Sequence, residues 1–198
     1  MNILYKDYDS TMPIKKFDLM TQKEVEEHFK WFINQIPVRI EILKEAVAED
    51  KTIPFACDYS SESLISLWNW YITKISIVSK SEDELSKELD NIKEEWIRES
   101  IIRNSSEKIS AQTAAICLDV GIYFGETLIH NHNSLYWGYY TKPKRDIFVN
   151  RPVIQGFKSN MRFNPAVVVF NLTWQYWWSD KEKYRTLYDM YLNWERCI

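Results

Sequence analysis

Apolar residues recur at three- and four-residue intervals through most of this chain, and that period predicts a chiefly helical protein. Thr21-x-x-Glu24 reads as a capping box opening a first helix, with Val25, Phe29, Phe32 and Ile36 on one face and His28 at its flank. Pro37 suits the first turn of a second helix, with Ile40, Leu43 and Val47 as its stripe. A Ser60/Ser61 cap predicts a third, in which Leu64, Trp68, Tyr71, Ile75 and Val78 keep helical spacing. Ser81-x-x-Glu84 opens a fourth, with Leu85, Leu89, Ile92 and Trp96 inward. From Ser106 to about Leu128 apolar residues point in every direction, as in a helix buried at the centre of a fold. Within it Gly121 and Gly125 stand one turn apart, which lets another element's backbone come close.

After His130 the pattern changes to short β-branched and aromatic runs: Leu135 to Tyr140, Ile147 to Val149 and Pro152 to Phe157, separated by polar turns. They predict a small antiparallel sheet over about residues 134–157. Asn164-Pro165 has the form of an N-cap followed by proline at the first helical position, so 165–177 is assigned to helix, although the run AVVVF also fits a buried strand. Ser179 or Asp180 caps the last helix, with Tyr184, Leu187, Tyr191 and Trp194 on one face. The expected fold is therefore α+β and predominantly helical: six to seven helices about a central buried helix at 106–128, as a single domain over residues 1–198.

Composition narrows the function classes. A chain of 198 residues can bury roughly 70% of its unfolded surface. Nine Trp and twelve Tyr mean that aromatic packing dominates the core. Cys57, Cys117 and Cys197 are widely spaced and odd in number, so reduced thiols are expected, and with no apolar leader or membrane-length run the expected compartment is the cytoplasm. The net charge of −3 conceals an asymmetry: residues 1–110 carry 15 basic and 21 acidic side chains, the remainder 10 and 7. Such a balance argues against general nucleic-acid binding and leaves room for a local basic surface. No P-loop, dinucleotide fingerprint or nucleophile elbow is present, and no cofactor is expected.

Three groups of residues could carry chemistry. Gln112, Asp119, Tyr123 and Glu126 fall within about 40° of one another on the central helix. Buried carboxylates must be paired, hydrogen-bonded or face a wet cleft. Asp119, Tyr123 and Glu126 are thus candidate acid/base groups, while structural pairing with Arg or Lys from the sheet region is the preferred account. His130 and His132 are candidate metal ligands, which Asp119 or Glu126 would complete. Lys142, Lys144, Arg145, Arg151, Lys158 and Arg162 are interleaved with Tyr139, Tyr140, Phe148, Phe157 and Phe163. They could bind an acidic protein or nucleic acid, or simply protect a sheet edge. Trp137 joins Tyr139, Lys142, Lys144, Arg145 and Arg151 as a candidate binding residue. Trp178, off the stripe of Trp174 and Trp177, is the cluster member expected to be most exposed.

The run Asp119-Val-Gly-Ile-Tyr-Phe-Gly-Glu126, then Leu135-Tyr-Trp137 and Asn150-Arg-Pro-Val-Ile-Gln-Gly-Phe157, resembles a pattern in small uncharacterised bacterial proteins. Some of these look like immunity proteins of toxin systems. The resemblance covers about a fifth of the chain and transfers no catalytic residue. It implies a cytoplasmic, non-enzymatic protein that binds another macromolecule and neutralises a toxin. The alternatives are a hydrolase or metal-dependent enzyme with a cleft lined by Asp119, Glu126, His130 and His132, and nucleic-acid binding through residues 139–163.

Overall fold

The computed structural model describes residues 16–90, 95, 106–179 and 186–198. Among them the chain is predominantly helical α+β, with six α-helices and two small two-stranded antiparallel sheets. The first helix, α1 (Gln22–Ala48), starts at the expected capping box. The Glu24 carboxylate accepts from the Thr21 N–H at 2.6 Å and the Thr21 hydroxyl from the Glu24 N–H at 3.3 Å.

The helix then runs through Pro37, so the two helices expected on either side of it are one. The stripes Val25 to Ile36 and Ile40 to Val47 join without a phase break at spacings of three and four. Proline removes the bond to the Ile33 carbonyl, but Ile33 and Pro37 both face solvent and water can reach that oxygen. Burial of one continuous stripe outweighs the roughly 3 kcal/mol that proline costs inside a helix.

Ser60 starts α2 (Ser63–Ile72) by accepting from the Ser63 N–H at 3.2 Å. This helix stops short of Ile75 and Val78, against expectation. Ile77–Ser79 forms β1, paired antiparallel with β2 (Glu107–Ile109) in the register Val78 to Lys108. Ile75 and Val78 fit a helical period, but they lie in a β-branched run that a distant strand can capture. The Thr113 hydroxyl pins this run by accepting from the Ser76 N–H at 2.9 Å. Between the strands lies α3 (Glu82–Leu89), which opens at the Ser81 capping box. Ile92 and Trp96, expected further along it, are outside the described residues.

Because residues 107–109 are strand, the central helix α4 (Ala111–Asn131) begins at a Ser110 cap instead of Ser106 and runs three residues past Leu128. β3 (Tyr136–Gly138) and β4 (Val153–Gln155) pair antiparallel with Trp137 opposite Ile154, and Phe163 bridges Ile154. Residues 147–149, expected as a strand, instead form a turn. The Asp146 carboxylate accepts from the Phe148 N–H at 2.9 Å and its carbonyl from the Val149 N–H at 3.1 Å. Asn164 caps α5 (Pro165–Trp178), with Pro165 in the first turn, so the AVVVF run is helical. Ser179 ends α5, and α6 (Leu187–Glu195) is capped by Thr186 through a box with Asp189. Asp180 and Tyr184 lie outside the described residues.

Helices α1, α2, α5 and α6 all pack on α4, whose buried residues join one continuous apolar cluster with theirs. None of the three cysteines is in a disulfide. No described helix is long and apolar enough to cross a membrane.

The two α4 glycines make different contacts. A Cβ on Gly121 would sit 2.8 Å from the Ala166 Cα, so here α5 approaches backbone to backbone. One on Gly125 would meet the Trp137 ring at 2.6 Å. Gly121→Ala is therefore expected to destabilise by about 1–2 kcal/mol, overpacking exceeding the roughly 1 kcal/mol of helix propensity gained. Denaturant unfolding checks this, and a stabilised variant would refute the close approach.

Candidate functional site

The polar stripe of α4 is consumed by the fold. Arg39 of α1 grips Asp119 with two bonds, Nε to Oδ1 at 2.8 Å and Nη2 to Oδ2 at 2.6 Å. The two side chains are 3% and 0% exposed, so Asp119 faces a buried arginine and no open cleft. The cation comes from α1, not from the sheet region as expected. One turn on, the Tyr123 hydroxyl accepts from the Tyr59 N–H at 3.1 Å and lies 2.7 Å from Ser63 Oγ. Ser63 gives its own proton to the Ser60 carbonyl, so Tyr123 donates to Ser63. Burial pushes the Tyr123 phenol up to about 12. Tyr59 itself has a φ of 58°, costly for a non-glycine residue, and is held there by Tyr123 and by Asn131 Nδ2 on its carbonyl at 2.8 Å.

Glu126 accepts from the Trp137 indole N–H at 2.6 Å. Gln112 faces solvent. The two histidines part company. His130 stacks on Tyr59 with ring centroids 4.0 Å apart, and its Nδ1 lies 2.8 Å from the Glu126 carbonyl oxygen. His132 points its Nε2 at Tyr191 Oη, 3.3 Å away, and at Glu195. Among the described residues no three His, Cys, Asp or Glu side chains are placed to hold a metal ion.

The candidate binding residues divide as sharply. Trp137 packs edge-on to Phe32, Tyr139 tilts against Phe29, and Arg151 lies over the Phe17 ring at 4.8 Å. Arg162 covers the Tyr140 ring at 3.7 Å and stands 3.9 Å from Asp146. Phe157 and Phe163 are core. What remains outward is Lys158, and Lys142, Lys144 and Arg145 next to Ile147, which is 74% exposed. Trp178 is exposed as expected, stacked on Trp174 with centroids 4.6 Å apart.

The sequence did not disclose a cavity of 610 Å³ between α1, α4 and the start of α5. His28, Trp31 and Phe32 come from α1; Leu118, Gly121 and Ile122 from α4. Arg151 and Pro152 close one side, and Asn164 to Val167 with Phe170 another. Its volume and apolar lining are those of a small-molecule pocket. Two polar atoms here are buried without a hydrogen-bond partner, His28 Nδ1 and Arg151 Nε. The walls come from six separate stretches of chain, so no local period could reveal the cavity. The one trace in the sequence is His28, at the flank of an apolar stripe.

Comparison of the chain with protein-family models, curated proteins and solved structures returns no match. Its chemistry has to be argued from its own residues.

Burial holds the His28 imidazole below its ordinary 6.5. The unfolded chain takes up a proton there that the folded chain resists. His28 therefore contributes its full stability above about pH 6.5, and loses it as pH falls toward the folded-state value. Between about pH 7 and pH 5 the melting temperature should fall more steeply for the native protein than for His28→Phe. Parallel curves would show that the ring is hydrated.

Proposed function

We propose that this protein works by binding an acidic protein through the loop after β3, and that its partner is a toxin which it neutralises. The observation that carries the proposal is Ile147, the most exposed large apolar side chain among the described residues, set in sequence among Lys142, Lys144 and Arg145. A single apolar anchor with a cationic rim suits an interface: desolvating the anchor supplies affinity, while the charges steer and orient an acidic partner.

The loop is pre-organised. Asp146 accepts from the Phe148 N–H, Arg162 braces Asp146, and the Asn150 N–H donates to the Tyr140 carbonyl at 2.8 Å. Little order then remains to be gained on binding, which favours affinity. The internal pairing of Asp119, Tyr123 and Glu126 supports a surface role over an acid/base one. Nucleic acid fits less well, because Phe157 and Phe163 are buried and Tyr139 and Tyr140 already pack against Phe29 and Arg162, leaving less ring surface for bases. The resemblance to immunity-like proteins supports a toxin as the partner.

Co-purification from the source cells with Ile147→Ser and with Lys144→Glu/Arg145→Glu tests this. One acidic protein, toxic when expressed alone and harmless together with this chain, should be recovered with the native sequence. Its affinity should fall at least about 30-fold with either variant, as for an interface hot spot. Equal recovery by all three forms would refute the surface. Loss on charge reversal alone, with a steep salt dependence, would indicate nucleic acid.

A further inference from the structure

The cavity between α1, α4 and α5 is lined by neither Ile147 nor its neighbouring cations Lys142, Lys144 and Arg145, and nothing in the proposed partner binding uses it. Most of its wall is aliphatic or aromatic: Phe32, Leu118, Ile122, Val167 and Phe170 all contribute. An apolar cavity without polar groups would suit a neutral hydrocarbon. This one has a cation in its wall.

Arg151 is half-buried, and no described acidic side chain lies within ion-pair distance of it. Its guanidinium plane is covered on one side by Phe17, and its Nε is sealed from water with no acceptor. A buried guanidinium N–H without an acceptor costs more than an ordinary unmade hydrogen bond. Against the same Phe17 ring, His28 adds a second sealed and unpartnered nitrogen, with Trp31 also packed on it. The first turn of α5 lines the same cavity from Asn164 to Val167, and the positive end of a 14-residue helix favours an anion there. Arg151 and the start of α5 both call for an acceptor with negative charge, and His28 can donate to it in the tautomer that carries its proton on Nδ1. The remaining wall calls for an apolar body.

We propose that this cavity binds a small amphipathic carboxylate, a medium-chain fatty acid or an acid of similar shape, with its head group on Arg151 and its apolar body between α4 and α5. A planar pair of carboxylate oxygens matches the guanidinium fork of Arg151, which lines the cavity, and balances its charge. Gly121 and Ala166 keep the helices closely apposed at one point, while the larger neighbours Leu118, Val167 and Phe170 bound the space beside it. Binding of this kind is independent of the toxin reading, and either can fail without the other.

The test is titration of the full chain with straight-chain carboxylates of roughly six to fourteen carbons, a span of sizes suited to such a pocket, and with the corresponding alcohols. Tryptophan emission, to which Trp31 and Trp137 at the cavity contribute, and calorimetry both report binding. Affinity should rise about fourfold per added methylene until the cavity is full and then level off, since each buried methylene carries a fixed transfer term. The acid should bind at least about tenfold more tightly than the alcohol of equal length. Arg151→Gln should abolish that preference while leaving alcohol binding intact, and Val167→Trp should remove both by filling the space. Should Val167→Trp fail to fold, Leu118→Trp, at a position 42% exposed, makes the same test. Absence of saturable binding below the micellar range would overturn the proposal. So would equal affinity for acid and alcohol, or binding that survives the filling variant.

Discussion

The buried pair between Arg39 and Asp119 is the interaction on which the arrangement of the rest depends. A carboxylate at 0% exposure in the middle of α4 is untenable alone, since desolvation of an isolated charge costs several kcal/mol. A forked guanidinium with two short bonds answers it, and only one rotation of α1 about its axis delivers that fork. Arg39, Phe32 and His28 stand seven and then four residues apart on the same face of α1. Fixing Arg39 therefore also fixes Phe32 against Trp137 and sets His28 in the wall of the cavity. The same rotation explains why α1 continues through Pro37: a break there would separate the two ends of the stripe that the pair aligns.

Along α4 the polar groups act as anchors for successive neighbours. Asp119 holds α1, Tyr123 holds the segment before α2 through Ser63 and Tyr59, and Glu126 holds β3 through the Trp137 indole. Gly121 draws in α5, and Thr113 draws in the residues before β1. Chemistry that looks catalytic in one dimension is thus distributed over different structural partners. The exposed Ile147 among its cations and the cavity beside Arg151 are features the core does not use, and the proposed recognition rests on them.

Much of the architecture was legible because it is local. The capping boxes at Thr21 and Ser81 and the Asn164-Pro165 start are properties of four or five adjacent residues, and each helix begins where they place it. The all-round apolar character of α4 announced its central position. The errors came where a long-range partner decides. Residues 75–79 carry spacing compatible with a helix, and only pairing with 107–109 makes part of them a strand. Pro37 reads as a boundary until the stripe is followed across it. The stripe on α4 was visible as unusual, but its partner Arg39 lies eighty residues away on another apolar face, where nothing in the sequence distinguishes it. The cavity was invisible for the same reason.

The central claim is that the Asp119 carboxylate serves α1 docking and not acid/base work, and a double-mutant cycle tests it most directly. Stability would be measured for Arg39→Met, Asp119→Leu and the double variant. Each single change takes from a buried charge its partner in this pair and should cost about 3–5 kcal/mol, while the double removes both charges and should be more stable than either single. If the two losses simply add, the carboxylate and the guanidinium do not depend on each other, and the account of α4 as a row of structural anchors is wrong.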